Sequence, residues 1–337
     1  MSHLRVREDI KILFVSAALH SYVRRDLEIL QKHFDVKNMK IRHLIPRRGR
    51  DTLVFLKLLR GVLWTDVVYS WFVNWNAFFL VLLCMFLCKK CMIVVGGYEV
   101  VYEPEIDYGA LLSLPGRLRV KFVLRHASNI LAVSNSSVKE MLRLTRPRHF
   151  KLLYNGVNTQ EFRPSGPKED LVITCARDIS DSTIKRKRLD TFVETSVYLP
   201  DVRFVLIGRY NGSIKRLKKK AGSNVIFTGY ISDDSLLHYC RRAKVYCQLS
   251  THEGFGVALA EAMSCCCVPV VTRRYALPEV VGDTGFYVPY DNPKVTAEAI
   301  RKALRSDKGR KARERIKKHF SLEAREKKLI EEILDEK

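Results

Sequence analysis

Residues 250–263 read STHEGFGVALAEAM. An apolar run at 244–249 precedes them and reads as a strand, and the stretch after Gly256 reads as a helix. The order is therefore strand, glycine turn, helix. Glycines at the turn let backbone amides approach a ligand closely. The helix N-terminus adds partial positive charge suited to a diphosphate. Glu261 lies eight residues beyond Glu253, roughly 12 Å if that span is helical. That distance matches the reach from a hexose to the ribose of a nucleotide sugar. On spacing alone two readings stay open for Glu261: a ribose ligand, or an exposed helix residue.

Outward from this stretch, short β-branched runs alternate with amphipathic segments. Strands are expected at 171–176, 203–208, 224–228, 244–249 and Val268–Thr272. Helices are expected at 189–198, 214–221, Asp233–Arg242, 255–265 and 295–305, followed by a helical tail over 309–337. Arg177 falls just past a strand end, and Lys185-Arg186-Lys187-Arg188 precedes the helix at Leu189. Two cations from one strand–helix connection can neutralise a diphosphate leaving group. A solvated basic loop is the plainer reading.

The same alternation occupies the first half. Strands are expected at 11–17, 66–70, 92–95 and 130–133, with helices at 23–33, 76–88, 118–125 and 137–144. Asn, Gly and Pro gather at 154–169, YNGVNTQEFRPSGPKE, and interrupt the pattern. The expected organisation is a first domain over 1–155, a linker over 156–169, a second domain over 170–308, and C-terminal helices over 309–337. Two such arrays predict two doubly wound α/β domains facing a cleft, with ligands beyond the carboxyl ends of the strands.

A chain of 337 residues suits two domains of about 150 residues, and 47% apolar content lets both bury a core. The net charge is +23. Residues 1–155 carry 25 Lys/Arg against 12 Asp/Glu, so the excess is not confined to a tail. Nucleic acid, an anionic membrane face and phosphate-bearing ligands all compete to explain it, beside a basic surface with no single partner. No aromatic-interleaved basic motif supports nucleic acid, which is not an expected partner. Nine cysteines show no zinc-ligand spacing and read as buried thiols in a reducing compartment. Residues 77–88 run without a charge but are too short to span a bilayer. They read as a core helix or a membrane-touching surface. The apolar run at 10–19 has no cleavage site after it and reads as a strand, not a signal peptide. Leu259 occupies the third glycine position of a dinucleotide fingerprint, and neither GxxxxGK[ST] nor GxSxG occurs. These absences argue against an NAD enzyme, a P-loop NTPase and an α/β-hydrolase.

Taken jointly, Glu253…Glu261 around GFGVALA, LPEVVGD at Pro278-Glu279, GFYVP at Gly285–Pro289 and the stretch YNGVNTQEFRP resemble family 4 of the retaining GT-B glycosyltransferases. The matches cover most of 154–289. The resemblance implies a GT-B fold and transfer of a hexose from a UDP- or GDP-linked sugar to an unnamed acceptor, lipid-linked or glycan, with retention. It assigns catalytic roles to Glu253, Arg177 and Lys187. Glu253 would face the donor sugar, and Arg177 and Lys187 would clamp the diphosphate, with Lys185 as the rival to Lys187. Phe255, Gly256 and Val257 would bind the donor through the backbone, and Glu261 would take the ribose. No metal and no cofactor are expected, because the cations replace a divalent ion. The last helix is expected to return to the first domain.

The first half departs from the family. Its first strand is followed by Ala18-Leu19-His20-Ser21-Tyr22, without glycine, and Gly96-Gly97-Tyr98-Glu99 stands where many members have a histidine. His20, Tyr98 and Glu99 are therefore the acceptor-side candidates. The expected location is cytoplasmic, with peripheral contact at an anionic membrane face. A nucleic-acid-binding protein or a non-catalytic sugar binder using the basic surface is the alternative.

Overall fold

The structure is a computed structural model that describes residues 10–41, 50–210 and 212–335. The chain forms two compact units, one from 1–156 with 323–337 and the other from 157–322. The ends of the expected domain 1–155 and of the expected tail, 1–9 and 336–337, lie outside the described residues.

In the first unit, β1 (Lys11–Ser16), β2 (Asp35–Lys40), β3 (Val67–Trp71), β4 (Lys90–Val95), β5 (Asn129–Ala132) and β6 (Phe150–Leu152) form one parallel sheet. The order is β2-β1-β3-β4-β5-β6. The helices α1 (Ser21–His33), α2 (Arg50–Trp64), α3 (Trp75–Phe86), α4 (Leu114–His126) and α5 (Asn135–Leu144) connect the strands. Strands β1, β3, β4 and β5 are buried almost throughout, as parallel strands covered on both faces must be. Chain order reverses between β1 and β3, which opens a crevice at their carboxyl ends. The charge-free run ending at Cys88 forms α3, whose Ala77, Leu80, Val81 and Cys84 join the core. Its last turn exposes Met85 and Phe86.

In the second unit, β7 (Glu169–Ile179), β8 (Arg203–Tyr210), β9 (Val225–Phe227), β10 (Ala243–Gln248), β11 (Val268–Thr272) and β12 (Phe286–Val288) form another parallel sheet. The order is β12-β11-β10-β7-β8-β9, so the reversal falls between β7 and β10. The helices are α6 (Asp181–Lys187), α7 (Leu189–Thr195), α8 (Ile214–Lys220), α9 (Asp233–Arg242), α10 (Val257–Ser264), α11 (Leu277–Val281), α12 (Pro293–Leu304) and α13 (Lys308–His319). The segment expected to be a bare linker packs into this unit instead. Phe162 is buried, and Arg313 donates to the carbonyls of Thr159 and Phe162. Chain entry and exit are tied together: the Val157 amide donates to the Phe320 carbonyl at 2.9 Å, and the Leu322 amide to the Val157 carbonyl at 2.8 Å.

The expected helical tail is two helices, α13 and α14 (Leu322–Asp335). From Glu323 onward α14 belongs to the first unit. Arg325 donates from Nε and Nη2 to both oxygens of Asp26 on α1, at 2.6 and 2.7 Å. Its Nη1 reaches the carbonyls of Leu153 and Tyr154. Asp26 also accepts from Tyr69 Oη and Trp71 Nε1. The Asp26 and Arg325 side chains are only 0% and 2% exposed, so each charge depends on the other for compensation.

Candidate active site in the second unit

The crevice at the β7/β10 reversal is where the sequence placed its chemistry. Strand β10 ends at Gln248, and Glu253 follows within the turn leading to α10. Gly256 caps the helix at φ 91°, a left-handed conformation that glycine adopts without strain. Phe255 is buried edge-to-face against Phe320 at 5.4 Å, which pins the turn to the end of α13. Glu261 is buried on α10, only 6% exposed, so the exposed-helix reading of it is wrong.

Glu253 is held by four donors, all on one oxygen. Its Oε1 accepts from Gln248 Nε2 at 2.7 Å, Ser250 Oγ at 2.9 Å, Lys187 Nζ at 2.9 Å and Arg186 Nη1 at 3.3 Å. Oε2 has no protein donor among the described residues. Burial by itself would raise the carboxyl's pKa. Lys187 and Arg186, with the bonds from Lys187 and Ser250, instead hold it at about 2. The carboxylate is thus ionised across the neutral range, with one oxygen saturated and one left for a ligand. The neighbouring His252 is buried beside the Tyr275 ring, and burial lowers its pKa to about 4, so it stays neutral.

The basic run expected to be a loop is the helix α6. Ser180 caps it by accepting from the Thr183 amide, and it ends at Arg188 with φ 49°. Helical spacing directs Arg186 and Lys187 toward Glu253, while Lys185 points to solvent. The Arg186 carbonyl also accepts from the Thr251 amide at 2.7 Å, which fastens α6 to the Glu253 turn. Arg177 does not stand past the strand end. β7 continues to Ile179 through an irregularity between Cys175 and Asp178. Its side chain is 72% exposed, with Nε 3.9 Å from Asp178. Sequence reasoning missed Arg186, Gln248 and Ser250. Ser250, three residues before Glu253 in the same turn, was the available signal.

In the first unit the acceptor-side candidates fall near the β1/β3 reversal. His20 stacks on Tyr22 at 5.6 Å and meets Phe72 edge-on at 6.4 Å. Glu99 is buried, and its Oε1 accepts from the Val73 and Gly96 amides at 3.3 Å each. Burial raises its pKa against those bonds. It therefore ties the β3 and β4 connections together. Tyr98 is exposed and packs edge-on to Tyr108.

Known proteins resemble this chain in sequence and in fold. Residues 179–320 match the family model described as glycosyl transferases group 1. The match covers less than half of the chain, so it is the second unit that is similar to this family. The group 1 match spans the Lys187–Glu253 site and α10. Among curated relatives, an MMP alpha-(1->4)-mannosyltransferase from Mycolicibacterium hassiacum is 29% identical over 190 residues. That alignment covers 52% of this chain and 46% of the relative, so the chain spans about half the length of that protein. Among solved structures, sucrose-phosphate synthase from Thermosynechococcus elongatus superposes with a TM-score of 0.79 at 15% identity, over 97% of this chain and 98% of that one. Anabaena HepE in complex with UDP and glucose gives 0.77 at 17% identity, over 97% and 100%. The fold is that of the GT-B glycosyltransferase structures.

Proposed function

We propose that this protein transfers a hexose from a UDP- or GDP-linked sugar to an acceptor hydroxyl, with retention of anomeric configuration and without a metal. The observation that carries the reading is the Glu253 carboxylate. It is ionised, saturated on Oε1, open on Oε2, and set one turn before the positive end of α10. Oε2 accepts from donor-sugar hydroxyls. The amides of Phe255, Gly256 and Val257 at the helix N-terminus receive the diphosphate. Glu261, further along α10, takes the ribose. As the sugar–oxygen bond breaks, negative charge grows on the departing diphosphate, and Arg177 and Lys187 meet it. The HepE complex with UDP and glucose and the mannosyltransferase relative support a nucleotide-sugar donor. His20, Tyr98 and Glu99 serve the acceptor side.

Losing one preorganised cation costs on the order of 10²-fold in turnover. Arg177→Ala and Lys187→Ala should each show that loss in a donor-consumption assay, while Lys185→Ala, at an exposed position, should be mild. Activity should survive EDTA. Complete loss in EDTA, restored by Mg²⁺ or Mn²⁺, overturns the metal-free reading.

The same proposal places the protein in the cytoplasm, with salt-sensitive attachment to an anionic membrane through the first unit. No helix among the described residues is long and apolar enough to cross a membrane. Helix α2 instead presents Leu53, Leu56, Lys57, Arg60 and Leu63 outward, while Leu58 and Val62 pack inward. Leucines flanked by cations fit a helix lying in a headgroup layer. In liposome flotation the protein should rise with anionic vesicles at low salt and less so at high salt. Leu56→Ser/Leu63→Ser should remain at the bottom. Absence of flotation by the unaltered protein at low salt overturns the attachment.

A further inference from the structure

Glu253 owes its place to two kinds of donor from two parts of the chain. Arg186 and Lys187 reach its Oε1 from α6. Gln248 and Ser250 reach it from the end of β10 and the turn that follows. The two neutral groups also hold each other: Gln248 Nε2 donates to Ser250 Oγ at 2.8 Å as well as to Glu253 Oε1 at 2.7 Å. A serine has one hydroxyl hydrogen. With Oγ accepting from Gln248, that hydrogen is committed to Glu253 Oε1, 2.9 Å away. Thr272, at the end of β11, fixes the Ser250 backbone by donating from Oγ1 to the Ser250 carbonyl at 2.8 Å. The carboxylate therefore stands on a mount built from the carboxyl ends of two paired strands.

Packing alone does not call for an amide at position 248. Gln248 is 3% exposed, and its Oε1 is buried without a hydrogen-bond partner among the described residues. Turning the amide over does not relieve this, because its carbonyl would then face the Glu253 carboxylate. An unpaired buried carbonyl destabilises the fold, and an apolar side chain of the same length would avoid it. What the amide supplies is its two N–H groups, and they matter because they are neutral. In the proposed reaction Lys187 answers the charge growing on the departing diphosphate, so its hold on Glu253 slackens at that moment. Gln248 and Ser250 carry no charge for the diphosphate to draw away.

We infer that Gln248 is a positioning residue for the transfer, keeping Glu253 Oε2 directed at the donor sugar through its own bond to Oε1 and through the Ser250 hydroxyl. The inference rests on the transferase reading and adds a residue to it. Gln248 acts through Glu253 and does not itself touch the substrate. Its effect therefore falls on the step in which charge develops, and not on nucleotide binding. A small misplacement of a reacting group is enough to slow that step.

Steady-state turnover and UDP or GDP titration of the full chain test this, with whichever nucleotide sugar of a UDP- and GDP-linked panel the unaltered protein consumes fastest. Gln248→Met keeps the length of the side chain and removes both N–H groups. Its kcat is expected to fall about tenfold or more, with donor KM and nucleotide affinity within about twofold and no loss of melting temperature. A residue that only fills space would show the reverse, a lower melting temperature at unchanged kcat. In Gln248→Glu the introduced carboxyl donates to Oε1 only when protonated. Burial and the adjacent Glu253 carboxylate raise its pKa, against the pull of Arg186 and Lys187. Glu253 itself stays ionised across the neutral range. The ratio of variant to unaltered kcat should therefore climb about tenfold as the pH falls from about 8 to about 6. Gln248→Met at full kcat, equal losses of kcat and nucleotide affinity, or a Gln248→Glu ratio that does not move with pH overturns the inference. Where Gln248→Met fails to fold, the near-isosteric Gln248→Glu still decides. An unaltered protein that consumes no nucleotide sugar overturns the transferase reading and this inference with it. An active one beside an equally active Gln248→Met overturns only the role of Gln248.

Discussion

Glu253→Gln is expected to lower turnover by about 10²- to 10³-fold while leaving nucleotide affinity within a few-fold of the unaltered protein. The substitution keeps the shape of the side chain and removes its charge. Oε1 gathers two cations and two neutral donors, so the charge organises the site, and in the proposed reaction it also faces the sugar. A neutral amide can still accept on its oxygen, but it no longer offsets Lys187 and Arg186. Those cations then lie beside positive charge developing on the sugar ring, where the carboxylate had compensated them. The expected pattern is a fall in kcat with little change in the affinity for the nucleoside diphosphate, since only the transition state carries the extra charge. Nucleotide-sugar turnover and UDP or GDP titration on the same preparation measure both quantities. Wild-type turnover in Glu253→Gln would falsify the assignment of this residue. Equal losses in turnover and nucleotide affinity would show that Glu253 serves mainly to hold α6 in place.

The largest effect on stability should come from Arg325→Met. The methionine fills much of the volume but leaves Asp26 as a buried charge without its cation. The carbonyls of Leu153 and Tyr154 lose their donor as well. Breaking one side of a buried pair costs roughly 3–5 kcal/mol, or on the order of 6–20 °C in melting temperature for a unit of this size. Asp26→Asn combined with Arg325→Met should recover part of the loss, because the uncompensated charge is gone. Recovery should be incomplete, since the bidentate bond and the carbonyl contacts do not return. Differential scanning calorimetry of the single and double variants closes the cycle. A melting temperature unchanged in Arg325→Met would show that the pair contributes nothing net.

Much of this architecture was legible because buried parallel strands announce themselves. Val268–Thr272 and Asp233–Arg242 have the bounds read from the sequence. The strand, glycine turn and helix around Glu253 were likewise readable from residue order. What escaped had physical reasons. β2, DVKNMK, is an edge strand with four exposed residues, so no apolar run marks it. β6 and β12 are three residues each and carry little periodicity. α6 hid within a charge run, although Ser180 before Asp181 is a helix start signal. β7 passes through an irregularity between Cys175 and Asp178 that contains Arg177, and no propensity rule foresees that. The Asp26–Arg325 pair joins residues 299 apart in sequence, and nothing local to either announces the other.

The return of α14 also decides when each half can mature during synthesis. The second unit begins and ends where Val157 meets Phe320 and Leu322, so it holds all of its own parts once that closure has left the ribosome. The first unit is translated first but stays unfinished, with Asp26 lacking its cation until Arg325 arrives. At ordinary elongation rates that wait lasts roughly 10–40 s. For that interval the amino-terminal half is a nascent chain with an open flank, although vectorial synthesis would otherwise let it finish first. A premature stop just before α14 would therefore damage the first unit, which precedes it, and spare the second.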